Sequence, residues 1–465
     1  MKRLLCTAGC LLGILGFADE TVVSVNIDSV KQRYPWNGKV DVDFTLRSTD
    51  PSAWVRLEFA AVDTTANPAT NLTALSFNGA SGNRFAATAG VYRVTWDTDI
   101  DLPGTVIDAV EFKITALAPD ALPVYERDRY VVVDLSEGYE GSPSYPVHRL
   151  PAPPLGGFNT DEYKTSKMAF VKLPATVSDE WKAMSGGKPY FVMGSPTDEK
   201  GRWGGSGGKT ETQHEVTLEK SFHMAIFEVT QKQYWYIIGN NPAWYRGDKR
   251  PVTNVPYNTM RGSVADGIDW PVTKSKDDPS VADPMRVSET SMIGLMRART
   301  SGCLFDFPTE AEWEYACRAG TSTAYYNGLN PDIVDKYDAG LSTIACYLYV
   351  GGYNRHNDKD GNYVSDQYAD PAVNFSNNVG AYLPNAFGLY DMLGNVSEHC
   401  RDWYAEASAS PVVDPKGADT GTARVTRGGA WNYEAGYARA ACRNSVAPNT
   451  STTTFGFRLA LYLND

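Results

Sequence analysis

Cysteine and histidine are scarce for a chain of this length. Seven of the 465 residues are cysteine and five are histidine. Cys6 and Cys10 fall among the first eighteen residues, which leaves an odd number of thiols, five, for the rest. So few cysteines cannot form a disulfide framework, and a hydrophobic core has to supply the stability. The histidines are too widely spaced to indicate a histidine-built zinc site.

Basic charge and long apolar runs are also lacking. Lysine and arginine number 43 against 55 aspartate and glutamate, a formal net charge of −12. Nucleic acids and anionic membranes attract cationic proteins, so this balance argues against both as partners. After residue 18 no apolar run is long enough to span a bilayer. Phosphate-loop and nucleophile-elbow motifs are absent as well.

The first eighteen residues have the pattern of an export signal. A basic start, Met1–Arg3, precedes an apolar stretch, Leu4–Phe17, and Ala18 closes a small-residue cleavage site. We therefore expect residues 1–18 to be a signal peptide and the protein to be exported to the periplasm, the cell surface or the extracellular space. The alternative is a frayed N-terminal helix on a cytoplasmic protein.

Residues 19–135 follow the two-residue period of β-strands. Apolar and polar residues alternate in segments such as 40–46, 91–96 and 110–114, with turn residues between them. Six or seven such segments without a helical pattern predict an all-β sandwich of immunoglobulin type. No set of catalytic side chains accompanies the segments, so we expect a spacing or adhesion role.

A linker is predicted at residues 136–165. Five prolines lie there among glycine and serine. Such a composition has no packing pattern and favours an extended, semi-rigid segment. The linker separates the sandwich from a second domain, residues 166–465.

The second domain is rich in aromatic residues, glycine and asparagine, with few helical patterns. Strands are predicted at 191–195 and 214–218, and Thr230 caps a helix that ends at Gly239. Most of the remainder reads as loop. A domain with so little regular structure needs its aromatic residues for a core.

The clearest helix signal lies at residues 306–320. Thr309 is an N-cap, and Glu312 three residues later completes a capping box. Three glutamates in the first turns interact favourably with the helix dipole. Gly320 ends the pattern, so a helix of about three turns is predicted.

Seven sequence motifs occur in the order of a known family. They are 191–194, 214–218 with 227–234, 251–255, 308–320, 385–398 with 402–404, 424–431, and 456–458. In this order they resemble the formylglycine-generating enzyme family, also called the sulfatase-modifying factor family. Together they span nearly all of residues 166–465. The resemblance implies an irregular α+β domain related to C-type lectins, following the immunoglobulin-like sandwich.

The same resemblance implies a chemistry that this chain lacks the residues for. Enzymes of the family oxidise a sulfatase cysteine to formylglycine with oxygen and copper, which two cysteine thiolates hold just past the Arg-Gly-Gly motif. Thiolates are soft ligands for Cu(I), and one must also be reactive towards the substrate. Residues 428–441 contain no cysteine, and Cys442 lies beyond them. We therefore expect no catalytic residue here and no formylglycine formation by this mechanism.

A structural calcium ion is the cofactor that the resemblance does imply. The motif at 391–398 corresponds to a calcium-binding loop of the family. Carboxylates of Asp391 and Glu398, with backbone carbonyls of Gly394 and Val396, would be its ligands, and such hard oxygen ligands suit calcium. The alternative is a loop held by hydrogen bonds alone.

Cys317 corresponds to a cysteine that is disulfide-bonded in exported members of the family. The matching strand carries Cys442, two residues from the corresponding position and hence on the same face. Two alternatives are open: a Cys317–Cys442 disulfide, or two buried free thiols.

Two functions follow from these observations. The first is an exported, non-catalytic binding protein for a protein, peptide or glycan. The second is an oxidoreductase of the formylglycine-generating type, or another oxidase of that family, which would act on sulfatase cysteines with copper. The missing cysteine pair favours the first. The candidate ligand-binding residues, for which core packing is the alternative role, are Trp431, Tyr433, Tyr437, Arg439 and Arg443.

Overall fold

The computed structural model describes most of the chain. The described ranges are 5–8, 22–33, 38–66, 68–72, 74, 76–77, 80–105, 109–138, 143–202, 211–278, 280–350, 355–357, 363–365 and 375–463. Most of the expected signal peptide lies outside them. Of the helices within them, none is both long and apolar enough to cross a bilayer.

The described residues divide into two compact units. The first comprises residues 1–131 and 148–160, and the second 132–147 and 161–465. The predicted linker is thus shared between the units. It contains one strand, Val147–Leu150, and one 3-10 turn, Glu162–Lys164. The strand before it is Tyr130–Asp134.

The first unit consists mainly of two β-sheets. One sheet has, in spatial order, Leu5–Ala8, Ala109–Leu117, Val55–Asp63 and Thr70–Leu72, with Arg84–Ala87 also paired to Val55–Asp63. The other has Val23–Gln32, Lys39–Ser48, Gly90–Asp97, Ser76–Phe77 and Ala80–Ser81. Short helical turns lie at Thr98–Asp101, Pro119–Ala121 and Val124–Arg127. The strands predicted at 40–46, 91–96 and 110–114 are confirmed. Tyr130–Asp134, at the end of the predicted sandwich, belongs instead to the sheet that contains Lys167–Leu173. The helical turns were not predicted.

The two sheets of the first unit share one core. Phe44 of one sheet meets Phe59 of the other at 5.8 Å between ring centroids, and Trp96 meets Phe112 at 5.3 Å. Along Lys39–Ser48 buried and partly exposed residues alternate. The two-residue hydrophobic period therefore sends one face of each strand into a common interior.

The second unit combines short strands with short helices. Its central sheet has Lys167–Leu173, Phe222–Ala225, Ala460–Leu463 and Cys303–Asp306 as neighbours. A second has Arg443–Val446, Arg424–Arg427, Ser397–Trp403 and Phe455–Gly456; a third Phe191–Met193, His214–Thr217 and Val412–Val413; and a hairpin Arg355–Asn357 with Tyr363–Ser365. The α-helices are Asp179–Ser185, Gln231–Ile238, Tyr257–Arg261, Met292–Arg299 and Glu310–Arg318, with 3-10 turns at Val264–Asp266, Leu341–Thr343 and Ala435–Tyr437.

The N-caps read from the sequence are confirmed, whereas the C-cap of the central helix is Ala319 and not the predicted Gly320. Thr309 and Glu312 form the capping box of the central helix, Glu310–Arg318, and Ala319 ends it with φ +45°. Thr230 caps Gln231–Ile238, which ends at Gly239. These signals are local, spaced three residues apart, so tertiary contacts do not override them.

Candidate functional site

The glutamates of the central helix bind buried arginines. Glu314 pairs with Arg427 and Arg318, and all three side chains are at most 4% exposed. Glu310 accepts two hydrogen bonds from Arg443, at 2.5 and 2.6 Å. From the sequence, these glutamates were expected to interact with the helix dipole. In the structure they also form buried ion pairs with arginines.

The segment after the Arg-Gly-Gly motif lies beside this helix. Arg439 and Arg443, which the sequence predicted as ligand contacts, both form ion pairs there. Arg439 is fully buried and binds Glu211 and Glu199. It also donates to the Gly201 carbonyl at 2.6 Å. Arg443 is held by Glu310. The structure therefore places both in internal networks, the packing alternative considered for them.

The three aromatic candidates of this segment differ in access. Trp431 is buried and donates its indole N–H to the Thr453 carbonyl at 3.1 Å. Tyr433 and Tyr437 are half-buried, with ring centroids 5.4 Å apart. The accessible part of the segment is thus the tyrosine pair.

A neighbouring loop adds aromatic surface that sequence reasoning missed. Tyr245 meets Trp431 edge-to-face at 6.0 Å, and the preceding Trp244 is 77% exposed. Asn432 has a buried side-chain oxygen with no partner among the described residues. A Trp-Tyr pair in a loop is a usable sequence signal, but only folding shows that Tyr245 lies next to Trp431. We call Trp244, Tyr245, Trp431, Tyr433 and Tyr437 the aromatic surface.

The predicted calcium loop is buried and acidic. Asp391, with φ +55°, accepts from the Gly380 N–H at 2.6 Å. Glu398 is bound by Arg458, at 2.7 Å, and by the Trp313 indole, at 2.7 Å. Glu228 holds the loop through the Val396 N–H at 3.1 Å. Burial, then repulsion from Asp391 and Glu398, raises the pKa of Glu228 well above its usual value.

The negative charge of the loop is suited to a cation, but its side chains alone do not form a metal site. Three buried carboxylates, those of Glu228, Asp391 and Glu398, face one buried arginine, Arg458. Within the described ranges, no three His, Cys, Asp or Glu side chains are arranged to hold a metal ion. An ion would therefore need the backbone carbonyls that the family resemblance assigns to Gly394 and Val396.

The cysteines of the second unit are buried. They are Cys303, Cys317, Cys346, Cys400 and Cys442, and the last four are free thiols. Burial raises the pKa of Cys317 and Cys346 to about 12 and that of Cys442 to about 11. The nucleophilic and metal-binding form of cysteine is the thiolate, which such pKa values suppress at neutral pH.

Of the two alternatives for Cys317 and Cys442, the structure shows two buried free thiols and not a disulfide. Both residues are free thiols, and Cys317 directs its sulfur at the Met392 carbonyl, 4.0 Å away. The Cys317 side chain therefore points from the helix towards the 391–398 loop. Strand periodicity placed Cys442 on a suitable face, but it could not fix the direction of the helix.

The second unit is similar in sequence to known proteins. A family profile described as "Sulfatase-modifying factor enzyme 1-like domain" matches residues 178–463. The formylglycine-generating enzyme of Thermomonospora curvata is 37% identical over 164 residues, 33% of this chain and 48% of that protein. Chaperone protein LppX of Paenibacillus barcinonensis is 29% identical over 268 residues, 55% of this chain and 80% of that protein.

Among solved structures, Treponema denticola variable protein 1 is similar with a TM-score of 0.42 and 24% identity, covering 63% of this chain and 95% of that one. The chain spans about half the length of the formylglycine-generating enzyme of Thermomonospora curvata.

Proposed function

Because this chain belongs to the sulfatase-modifying factor enzyme 1-like family, we propose that its family domain binds a protein, peptide or glycan without oxidising it. The observation that carries the proposal is the state of the thiols. Residues 428–441 have no cysteine, the cysteines of the second unit are all buried, and Cys317, Cys346, Cys400 and Cys442 are free thiols. Copper oxidation through two accessible thiolates has no residues to use among these.

The aromatic surface is the ligand-binding region that we propose. Trp244 is exposed, and Tyr433 and Tyr437 are half-buried, so rings are available to stack on a sugar or a peptide side chain. Trp431 packs edge-to-face against Tyr245 of the same surface. Arg439 and Arg443 act here as supports because their charges are already paired.

The alternative function is formylglycine formation on sulfatase cysteines, or another oxidation of that family. It is favoured by the names of relatives such as the Thermomonospora curvata protein. It would require copper and a thiol site outside the residues discussed above. The similarity to a protein named a chaperone is instead in keeping with binding.

Three further features belong to the proposal. We expect export through the signal peptide at 1–18, an immunoglobulin-type topology for the first unit, and a C-type-lectin-like topology for the second. The immunoglobulin-type topology is supported by the pair of sheets that share a core. The C-type-lectin-like topology is supported by the family profile together with the short, irregular elements of the second unit.

The purified protein is expected to leave a sulfatase-type peptide unchanged. The peptide, with the pattern Cys-x-Pro-x-Arg, is incubated with the protein, copper and oxygen and analysed by mass spectrometry. Buried, protonated thiols cannot bind Cu(I) or exchange with the substrate thiol, so no mass loss at cysteine is expected.

A relative that carries the cysteine pair serves as the positive control for this assay. Conversion of the peptide by the present protein would overturn the binding proposal. An unchanged peptide leads to peptide and glycan screening, in which Trp244→Ala removes the exposed ring and Trp235→Ala, 40% exposed, is the matched control.

Calcium is expected to stabilise the second unit. Metal that binds only the folded state adds about 2.7 kcal/mol at a concentration 100 times its Kd. The thermal midpoint of protein treated with chelator should therefore rise on adding calcium. Asp391→Ala should abolish the rise, whereas Asp332→Ala, which removes an exposed carboxylate, should retain it.

The calcium-dependent shift is compared within each variant. Asp391 has a positive φ, so alanine there lowers stability by itself. Equal calcium shifts in wild type and Asp391→Ala would contradict a site at this loop.

A further inference from the structure

A cleft of about 630 Å³ opens next to the first turn of the central helix. Its floor contains Glu310, Asp402 and Arg443. Its walls are largely apolar and include Met193, Ala311, Ala405, Val412, Val413 and Pro415. No residue of the aromatic surface lines it. A mostly apolar cleft with a few convergent polar groups is the usual form of a small-molecule site.

Asp402 is the polar group that this cleft leaves incompletely bonded. The side chain is 3% exposed, and Oδ2 accepts the Glu310 N–H at 2.8 Å. No hydrogen bond to Oδ1 is present among the described residues. Gly417 packs against it with φ +70°, and a Cβ there would lie 2.9 Å from Oδ1. Oδ1 is therefore the oxygen of Asp402 that a donor on a ligand in the cleft can reach.

The charges around Asp402 favour a cationic donor. Burial, and then repulsion from Glu310, raises the pKa of Asp402 to about 7, and a cation placed beside the ionised carboxylate would relieve that repulsion. Four carboxylates and two cations line the cleft. The charged and titratable groups around Asp402 are Glu310, Glu312, Cys400, Arg401 and Arg424 in the interior, and His214, Glu406, Asp414, Lys416 and Arg443 along the cleft.

We propose that this cleft binds a small primary amine with an apolar body. The ammonium group donates to Oδ1 of Asp402, and the apolar part lies against Val412 and Pro415. A charge-assisted hydrogen bond out of bulk water is stronger than a neutral one, so the ammonium is preferred over a hydroxyl of the same shape. The site is independent of the proposed ligand surface and of any oxidase activity.

The test is calorimetric binding of 4-phenylbutylamine, 4-phenylbutanol and 4-phenylbutyrate to the full chain at pH 8. The amine is expected to bind at least tenfold more tightly than the alcohol, and the carboxylate to bind more weakly than either. Only the ionised carboxylate of Asp402 can accept a charge-assisted hydrogen bond from the ammonium group. The affinity for the amine should therefore fall about tenfold per pH unit below 7.

Two variants locate the binding. Asp402→Asn can still accept the Glu310 N–H, and it should lose at least tenfold in amine affinity together with the preference over the alcohol. Ala407→Trp fills the cleft and should abolish binding even if the Asn variant does not fold. Asp332→Asn, at an exposed acid that does not line the cleft, should bind as wild type.

Several outcomes would overturn the proposal. They are equal affinity for amine and alcohol, tighter binding of the carboxylate, no binding of the amine at 10 mM, or an unchanged affinity in Ala407→Trp. A histidine also gains charge in acid. His214→Gln should therefore keep most of the pH dependence, and its loss in that variant would assign the effect to His214 instead.

Discussion

Replacement of Arg458 by alanine is expected to destabilise the second unit by about 3–5 kcal/mol. Arg458 is fully buried and makes charge-assisted hydrogen bonds to Glu398 at 2.7–2.9 Å. It also donates to the Tyr390 carbonyl at 2.8 Å. Alanine would leave Glu398 buried without its counter-charge, beside Glu228 and Asp391. Urea unfolding followed by tryptophan fluorescence measures the loss.

The controls for this prediction separate charge from packing. Arg458→Met with Glu398→Gln removes both charges and should recover much of the loss, because a neutral pair carries no unpaired buried charge. Lys276→Ala removes an exposed ion pair with Glu289 and should not shift the midpoint measurably. A change below about 1 kcal/mol in Arg458→Ala would show that the network is not needed for stability.

Replacement of Arg439 by alanine should have an effect of the same size, about 3–5 kcal/mol. Arg439 reaches Glu199 at 2.5 Å and Glu211 at 2.8 Å, and the three side chains are at most 3% exposed. Burial already raises the pKa of Glu199. Without the guanidinium, two neighbouring acids would share a dry interior, and urea unfolding should show the loss.

This second substitution also decides between two roles for Arg439. A structural arginine predicts that Glu199→Gln and Glu211→Gln, combined with Arg439→Met, restore much of the stability. A ligand-contact arginine predicts normal stability in Arg439→Ala with loss of ligand binding. The second result would return Arg439 to the binding surface and contradict the internal network.

Local features of the sequence were sufficient for the elements. The alternation in segments 40–46 and 91–96 predicted strands Lys39–Ser48 and Gly90–Asp97. The capping residues Thr230 and Thr309 predicted the starts of two helices. Each of these signals depends on residues within a few positions of one another, so it can be read without knowledge of the tertiary contacts.

The partners of the charged residues could not be predicted in the same way. Arg427 meets Glu314 across 113 positions, and Arg439 meets Glu211 across 228. From the sequence, the glutamates of the central helix have a capping role and a favourable interaction with the helix dipole, and neither role specifies a partner. In the structure all three glutamates pair with arginines, Glu310 with Arg443, Glu312 with Arg401 and Glu314 with Arg427, because strands from the C-terminal part of the chain cover the helix.

The sequence by itself determined the family motifs, the strand and helix positions, and the absence of cysteine between residues 428 and 441. Tertiary structure alone decided that Tyr245 packs against Trp431, that Arg439 pairs with two glutamates, and that Asp402 lines a cleft. The physical reason is range: periodicity and capping act over one or two turns, whereas burial and ion pairing depend on which distant segments the fold brings together.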